Sequence, residues 1–277
     1  MNLRQEQSAA AEAFRSLHRP GDPVLLPNVW DAASARIVES CGFPALATTS
    51  AGVAYAAGYP DGQRISRDRM VDAVAQICAS VTVPVTADME AGHGTSPEEV
   101  HRTALAVLDA GAIGLNIEDS EKDEAVLIDP FLQAEKIRAV RAASVERGIP
   151  IVINARTDAF FSPAAEGVDR LEEAVRRAGV YRAAGADCIF VPGVREPGMI
   201  AALVQRLACP VNILAGPSSP SVKDFARLGV ARISLGSGPM RGAMTFLRRL
   251  VQGVLEEGTY AQLEGIISHA EMQELMK

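Results

Sequence analysis

The sequence predicts an α/β fold, a (β/α)8 TIM-type barrel forming one domain over residues 1–277, with residues 240–277 a C-terminal helical extension. Three observations carry this. Short apolar runs rich in Val, Ile and Leu recur eight times; helical periodicity fills the gaps between most of them; and one turn phrase repeats ahead of successive runs. Unalternating apolar strands joined by crossover helices imply a parallel sheet covered on both faces. Eight such units in about 240 residues match a closed barrel.

In order, the strands are expected at 24–29, 45–49, 83–87, 114–117, 151–154, 188–191, 211–214 and 232–235. Helices are expected at 67–80, 97–109, 130–146, 171–184 and 196–207, each with apolar residues three and four apart. The phrases Ala110-Gly111-Ala112, Ala184-Gly185-Ala186 and Leu228-Gly229-Val230 each place a glycine where a helix ends and the next strand begins. Those turns belong to the N-terminal end of the barrel, so the opposite ends of the strands form the functional face. No Pro/Gly/Ser-rich linker divides the units, which argues for one domain. Beyond the barrel, 240–257 and 260–276 read as two more helices separated by Glu257-Gly258-Thr259; Leu263, Ile266, Ile267 and Met272 offer an apolar stripe, either for their own barrel or for a neighbour.

The chain is 48% hydrophobic with a net charge of -7, a balance that argues against nucleic acid or an anionic membrane surface and favours small-molecule partners. Cys41, Cys78, Cys188 and Cys209 show neither CxxC nor metal-finger spacing, so reduced thiols are expected. The N-terminus has no apolar signal core, and no apolar run reaches the ~18 residues of a spanning helix. A cytoplasmic location follows as the expectation. His18, His101 and His269 read as surface residues.

Charge collects at three consecutive strand ends: Asp88-Met-Glu90-Ala-Gly92-His93-Gly94, Glu118-Asp119 and Asn154-Ala-Arg156-Thr-Asp158. Carboxylates in such positions need a cation, a partner or a shifted pKa. Asp88 and Glu90 either bind Mg2+, a hard cation suited to oxygen ligands, or cap helices and pair with arginines; Glu118 and Asp119 would complete an acidic cluster. Arg156 suits a substrate carboxylate or an enolate oxygen, and equally a salt bridge to Glu118 or Asp158. Asn212 is a polar residue in an otherwise apolar strand and should bond to a ligand or a neighbouring strand. The segment 48–53 presents hydroxyls and backbone N–H groups for a carboxylate, or is a plain turn; Asp61 is either hydrogen-bonded to a metal's waters or a helix cap. Gly236-Ser237-Gly238-Pro239 has the form of a barrel phosphate loop, although Pro239 at the first helical position explains it without a ligand.

The ordered set Trp30-Asp31, Thr49-Ser50-Ala51-Gly52, Gly58-Tyr-Pro-Asp61, Asp88-Met-Glu90-Ala-Gly-His-Gly94, Ile117-Glu118-Asp119 and Asn154-Ala-Arg156 resembles the isocitrate lyase/phosphoenolpyruvate mutase superfamily over almost the whole barrel. The resemblance implies Mg2+, or Mn2+ in its place, with Asp88 the principal ligand and Asp61, Glu90 and Glu118 acting directly or through water. It implies that Trp30, Ser50, Ala51, Gly52, Asp88, Arg156 and Asn212 surround a small 2-oxo or 2-hydroxy carboxylate. It also implies chemistry through a pyruvate-type enolate and a homotetramer, a dimer of dimers whose C-terminal helices swap between barrels.

The departures narrow the reaction. The lyase branch carries a Lys-Lys/Arg-Cys-Gly-His lid after Glu-Asp, whereas 120–130 here contains no cysteine or histidine. The phosphonate branches keep a lysine directly after Glu-Asp and a histidine at the sixth strand's end; here stand Ser120 and Val191-Pro-Gly193, and lid acids Glu121, Asp123 and Glu124 would repel a phosphonate dianion. The expected function is a Mg2+-dependent lyase or decarboxylase cleaving a C–C bond of an oxaloacetate-like acid or substituted malate, with Arg156, Glu118, His93 and Asp61 catalytic; in a retro-aldol reaction His93 or Tyr55 would handle the proton. The alternatives are a catalytically reduced 2-oxo acid binding protein and a P–C bond cleaving phosphonopyruvate-type enzyme.

Overall fold

The computed structural model describes residues 3–121, 126–161 and 169–277. The strands are β1 (Val24–Leu26), β2 (Asn28–Val29), β3 (Leu46–Thr48), β4 (Val85–Asp88), β5 (Gly114–Glu118), β6 (Ser120–Glu121), β7 (Val126–Leu127), β8 (Val152–Arg156), β9 (Cys188–Phe190), β10 (Val211–Leu214) and β11 (Arg232–Ser234). Nine of them form one parallel sheet in the order β1-β11-β10-β9-β8-β5-β4-β3-β2. Its two ends, β1 and β2, are neighbours in the chain, so the sheet closes into an eight-stranded barrel whose first strand is split.

The split falls at Pro27, which has no N–H for a ladder. Val24 pairs with Arg232 on one side of the break, and Asn28 with Ala47 on the other. The single strand expected at 24–29 is thus two segments serving two different edges.

The helices are α1 (Leu3–Ser16), α2 (Ala32–Ser40), α3 (Ser50–Ala56), α4 (Arg67–Ser80), α5 (Pro97–Asp109), α6 (Pro130–Arg147), α7 (Arg170–Ala183), α8 (Pro197–Leu207), α9 (Val222–Arg227), α10 (Gly238–Glu257) and α11 (His269–Leu275). Their boundaries have local causes. Ser96 and Glu99 form a capping box ahead of Pro97 in α5. Asp129 caps α6 before Pro130, and Gly148 ends that helix in the left-handed region. The turn glycines Gly111, Gly185 and Gly229 all have positive φ, as the repeated phrase requires. The core is the aliphatic layer between strands and helices, including Ile117, Val140, Ile153, Ile189 and Leu203.

Three expectations need correction. The tail 260–276 is not one helix: a 3-10 turn at Ala261–Leu263 and α11 are separated by Gly265 with φ +74, which a continuous helix cannot accommodate. The 48–53 segment is no open loop, because Ser50 begins α3 under a Thr49 cap. His18 is not a surface residue either.

His18 is buried behind α1, which lies across the N-terminal end of the barrel. Gln7 there donates to the Leu108 and Ala112 carbonyls, and Arg15 to those of Pro150 and Ile151. The His18 ring packs edge-on against Phe14, with Nδ1 3.0 Å from the Phe14 carbonyl. Burial, reinforced by the charge of Arg232, pushes its pKa down to about 4. The folded pKa lies below the unfolded one, so the unfolded chain takes the proton first and stability falls as pH drops from about 6.5 towards 4. The loss amounts to roughly 3 kcal/mol. Urea midpoints at pH 7 and pH 4.5 should separate more in the wild type than in His18→Asn; equal separations would exclude this source.

Candidate active site

The C-terminal ends of the strands surround a cavity of about 250 Å³ lined by Ser50, Ala51, Asp61, Asp88, Asn116 and Arg156, with Asn28, Phe161, Phe190, Ser234 and Gly236 around them. Alternation along the strands explains which residues arrive there. Positions two apart share a face, so Asn116 accompanies Glu118, Asn154 accompanies Arg156 and Arg232 accompanies Ser234.

Asp88 ends β4. Its Oδ2 accepts from the Ser50 backbone N–H at 3.0 Å and from the Ser50 hydroxyl at 2.9 Å, the start of α3 serving as the donor. Among the described residues its Oδ1 has only a long contact, 3.4 Å from Asn116 Nδ2. Its own N–H is held by Thr48 Oγ1. One carboxylate oxygen is therefore fixed by protein and the other faces the cavity.

Arg156 ends β8 and is gripped by two acids. Nη1 lies 2.6 Å from Glu118 Oε2, while Nε and Nη2 donate to the two oxygens of Asp158 at 2.6 and 3.0 Å. The guanidinium also sits over the rings of Phe161 and Phe190. Burial alone would lower its pKa; the carboxylates of Glu118 and Asp158 more than reverse this and leave it raised. The salt bridges considered from sequence are thus both present, with the cation at the cavity wall.

The other expected residues are placed as follows. Glu90 is fully buried with a left-handed φ of 52, its Oε2 accepting from the Gln63 N–H at 2.8 Å and its carbonyl from the Glu118 N–H. His93, also left-handed at φ 49, lines an adjacent cleft of about 590 Å³ with Gln63 and Lys136. Trp30 does not line this cavity but a separate cleft, with Val53 of α3 and Arg69 of α4. Gly52 is a packing glycine, since a Cβ there would meet Thr49 Cγ2 at 2.6 Å and Trp30 Cβ at 3.0 Å. Asn212 sits buried in the barrel, accepting from the Ser234 hydroxyl.

Asp119 does not join the acidic cluster. Its neighbour Glu118 faces inward, so Asp119 faces outward, accepting from Tyr181 at 2.6 Å, Arg177 at 3.1 Å and the Asp158 N–H at 2.8 Å. Burial, only partly offset by Tyr181 and the other donors, leaves its pKa raised. This network fixes the Thr157-Asp158 turn, and Ser120 donates to Asp158 at 2.5 Å. Ser120 and Leu127 pair across the base of the lid; Asp123, Glu124 and the side chain of Glu121 lie outside the described residues.

Asn116, Asn28, Phe161, Phe190 and Ser234 were not singled out from sequence. Period-two spacing from Glu118 would have found Asn116. Asn28 accepts from the Leu235 and Gly236 N–H groups and so shapes the loop after β11.

Among the described residues no three His, Cys, Asp or Glu side chains gather into a metal cluster. What the cavity offers is Asp88 Oδ1, with Asp61 also on its wall. Such a sparse oxygen set fits Mg2+, which commonly takes one or two carboxylates and completes its shell with waters and substrate oxygens.

The phosphoenolpyruvate phosphomutase family profile matches residues 14–255. The chain belongs to that family. Among similar members of the family, the uncharacterized protein Rv1998c of Mycobacterium tuberculosis is 35% identical over 94% of this chain and 95% of its own length. An oxaloacetate decarboxylase of Bradyrhizobium sp. is 30% identical over 94% of this chain and 90% of its own. The crystal structure of an oxaloacetate acetylhydrolase in complex with the product oxalate aligns with TM-score 0.86 and 26% identity, covering 98% of this chain and 94% of that one. Within this family the fold is the expected barrel, and the chain's relatives are carbon–carbon lyases and mutases.

Proposed function

We propose that the protein is a Mg2+-dependent lyase or decarboxylase that cleaves a C–C bond of a small 2-oxo or 2-hydroxy acid, oxaloacetate-like or a substituted malate, through a pyruvate-type enolate. The observation that carries this is the juxtaposition of Asp88 and Arg156 in one small cavity. At about 250 Å³ it lies below the ~300–1,000 Å³ of sites for larger ligands, which supports a short dicarboxylate. The similarity to an oxaloacetate decarboxylase and to an oxalate-binding acetylhydrolase supports the same class.

Asp88 and Asp61 would hold the metal, with Glu90 and Glu118 acting through water. The metal, when bound, supplies a Lewis-acid sink for the 2-oxo oxygen. Arg156 orients the substrate carboxylate and places positive charge beside the oxygen on which the enolate develops. The buried Phe190 ring covers the guanidinium at that end, with the half-exposed Phe161 beside it. In decarboxylation the C3–C4 bond breaks, CO2 departs, its electron pair forms the enolate of pyruvate, and a proton delivered to C3 gives pyruvate. Starting the cleavage needs no dedicated base, which suits a lid without cysteine or histidine.

The decisive assay is pyruvate release from oxaloacetate and substituted malates with Mg2+ and with chelator. Metal-dependent release supports the reading; tight metal-dependent binding of oxalate without turnover of any of these acids would replace it by a binding protein.

The same reading includes a homo-oligomer. Met244, Leu247, Val251 and Leu255 form an exposed apolar stripe on α10, which supports packing of this helix against a neighbouring barrel. Sedimentation velocity checks it, a monomer at micromolar concentration being the contrary result. The four unpaired cysteines support a reducing compartment such as the cytoplasm. Among the described residues no helix is long and apolar enough to cross a membrane.

A further inference from the structure

Arg232 begins β11 and is the bulkiest fully buried side chain in the described protein. Barrel interiors are normally filled by aliphatic layers at this depth. Nη2 donates to Asn116 Oδ1 at 3.3 Å, and the guanidinium lies 5.9 Å from the centre of the Phe14 ring. Among the described residues, Nε and Nη1 are buried with no hydrogen-bond partner. A cation so poorly compensated opposes folding, since its lost hydration is not replaced. Packing alone gives no reason to keep it.

Its connections lead to the site. Asn116 Oδ1 accepts from both Arg232 and Asn154 Nδ2, the latter at 2.7 Å. Two donors on that oxygen fix the amide's orientation, so its NH2 faces Asp88 Oδ1. The carboxylate that attracts Arg232 is Asp88, which also attracts Arg156. The acidic end of the cavity therefore lies in the field of two arginines, one at its wall and one beneath.

We infer that Arg232 is a positioning residue for anion binding: from inside the barrel it orients the Asn116 amide toward Asp88 and sets a positive potential under the cavity that favours a dianionic acid. This rests on the functional reading above. Burial pushes the guanidinium pKa down to about 10, still leaving it charged at neutral pH.

The test compares wild type with Arg232→Met, Arg232→Lys and Arg232→Gln. Oxalate affinity is measured by calorimetry at saturating Mn2+, and thermal stability by circular dichroism. Arg232→Met is expected to melt at or above the wild-type temperature while binding oxalate at least tenfold more weakly, and Arg232→Lys to recover part of that loss. Arg232→Gln, with a donor but no charge, carries the same comparison if the Met variant does not fold. A folded uncharged variant that binds oxalate within twofold of wild type overturns the inference, the more so if it melts well below it, which assigns the arginine to packing. Wild-type protein that binds neither Mn2+ nor oxalate overturns the functional reading and this inference with it.

Discussion

Asp88→Asn is expected to lower Mg2+-dependent turnover of oxaloacetate by roughly 10³-fold with little change in melting temperature, because a metal sink supplies several kcal/mol of transition-state stabilisation. The variant isolates charge from shape. Asparagine keeps an oxygen for the Ser50 N–H and hydroxyl, which bond to Asp88 Oδ2, and changes only the atom that faces the cavity. The measurement is kcat by coupled pyruvate detection together with Mn2+ binding. A variant retaining more than a tenth of wild-type turnover and its metal affinity would remove Asp88 as the principal ligand. The expected pattern is loss of both.

The second large effect is on Arg156, where activity and stability fall together. Arg156→Met leaves Glu118 and Asp158 buried and facing each other without their cation. Breaking a buried ion pair from one side costs about 3–5 kcal/mol, because the stranded charge has no replacement for its lost hydration. Urea denaturation should show that deficit, and oxalate binding should be lost in whatever folded fraction remains. Arg156→Lys separates the two roles, since it keeps the charge but cannot bridge both carboxylates in one fork. It should recover part of the stability and little of the binding. A Met variant within 1 kcal/mol of wild type in stability would show that the two acids find other partners.

Much of this arrangement is legible before any coordinates. Short unalternating apolar runs alternating with helical patterns read as strands covered on both faces, so the eight strands and the ends that carry charge follow from the order of residues. Asp88 and Arg156 announce themselves because a charge at a buried strand's end needs an explanation. Asn116 does not, since a neutral amide inside a strand resembles any other polar strand residue until its spacing from Glu118 is considered. Glu118 and Asp119 show the opposite error: adjacent acids invite grouping, yet alternation sends one inward to Arg156 and the other outward to Tyr181. Phe161 lies in the connection after β8 and Phe190 ends β9, and nothing in either segment records that both rings lie beside one arginine. The tail misled for a simpler reason, as apolar spacing across Gly265 continues after the backbone has left the helix.

The split first strand also bears on how the molecule is made. Val24 pairs with Arg232, positions 208 apart in the chain, so the edge of β1 has no partner until nearly the whole barrel has been synthesised. At about 5–20 residues per second this is an interval of roughly 10–40 s. During that time a short apolar edge is open to other chains, the circumstance in which parallel proteins go astray. Pro27 limits the hazard because it cannot donate to an intruding strand and cuts the open edge to three residues. The residue that lets one segment close the ring therefore also guards the nascent chain while the ring is incomplete.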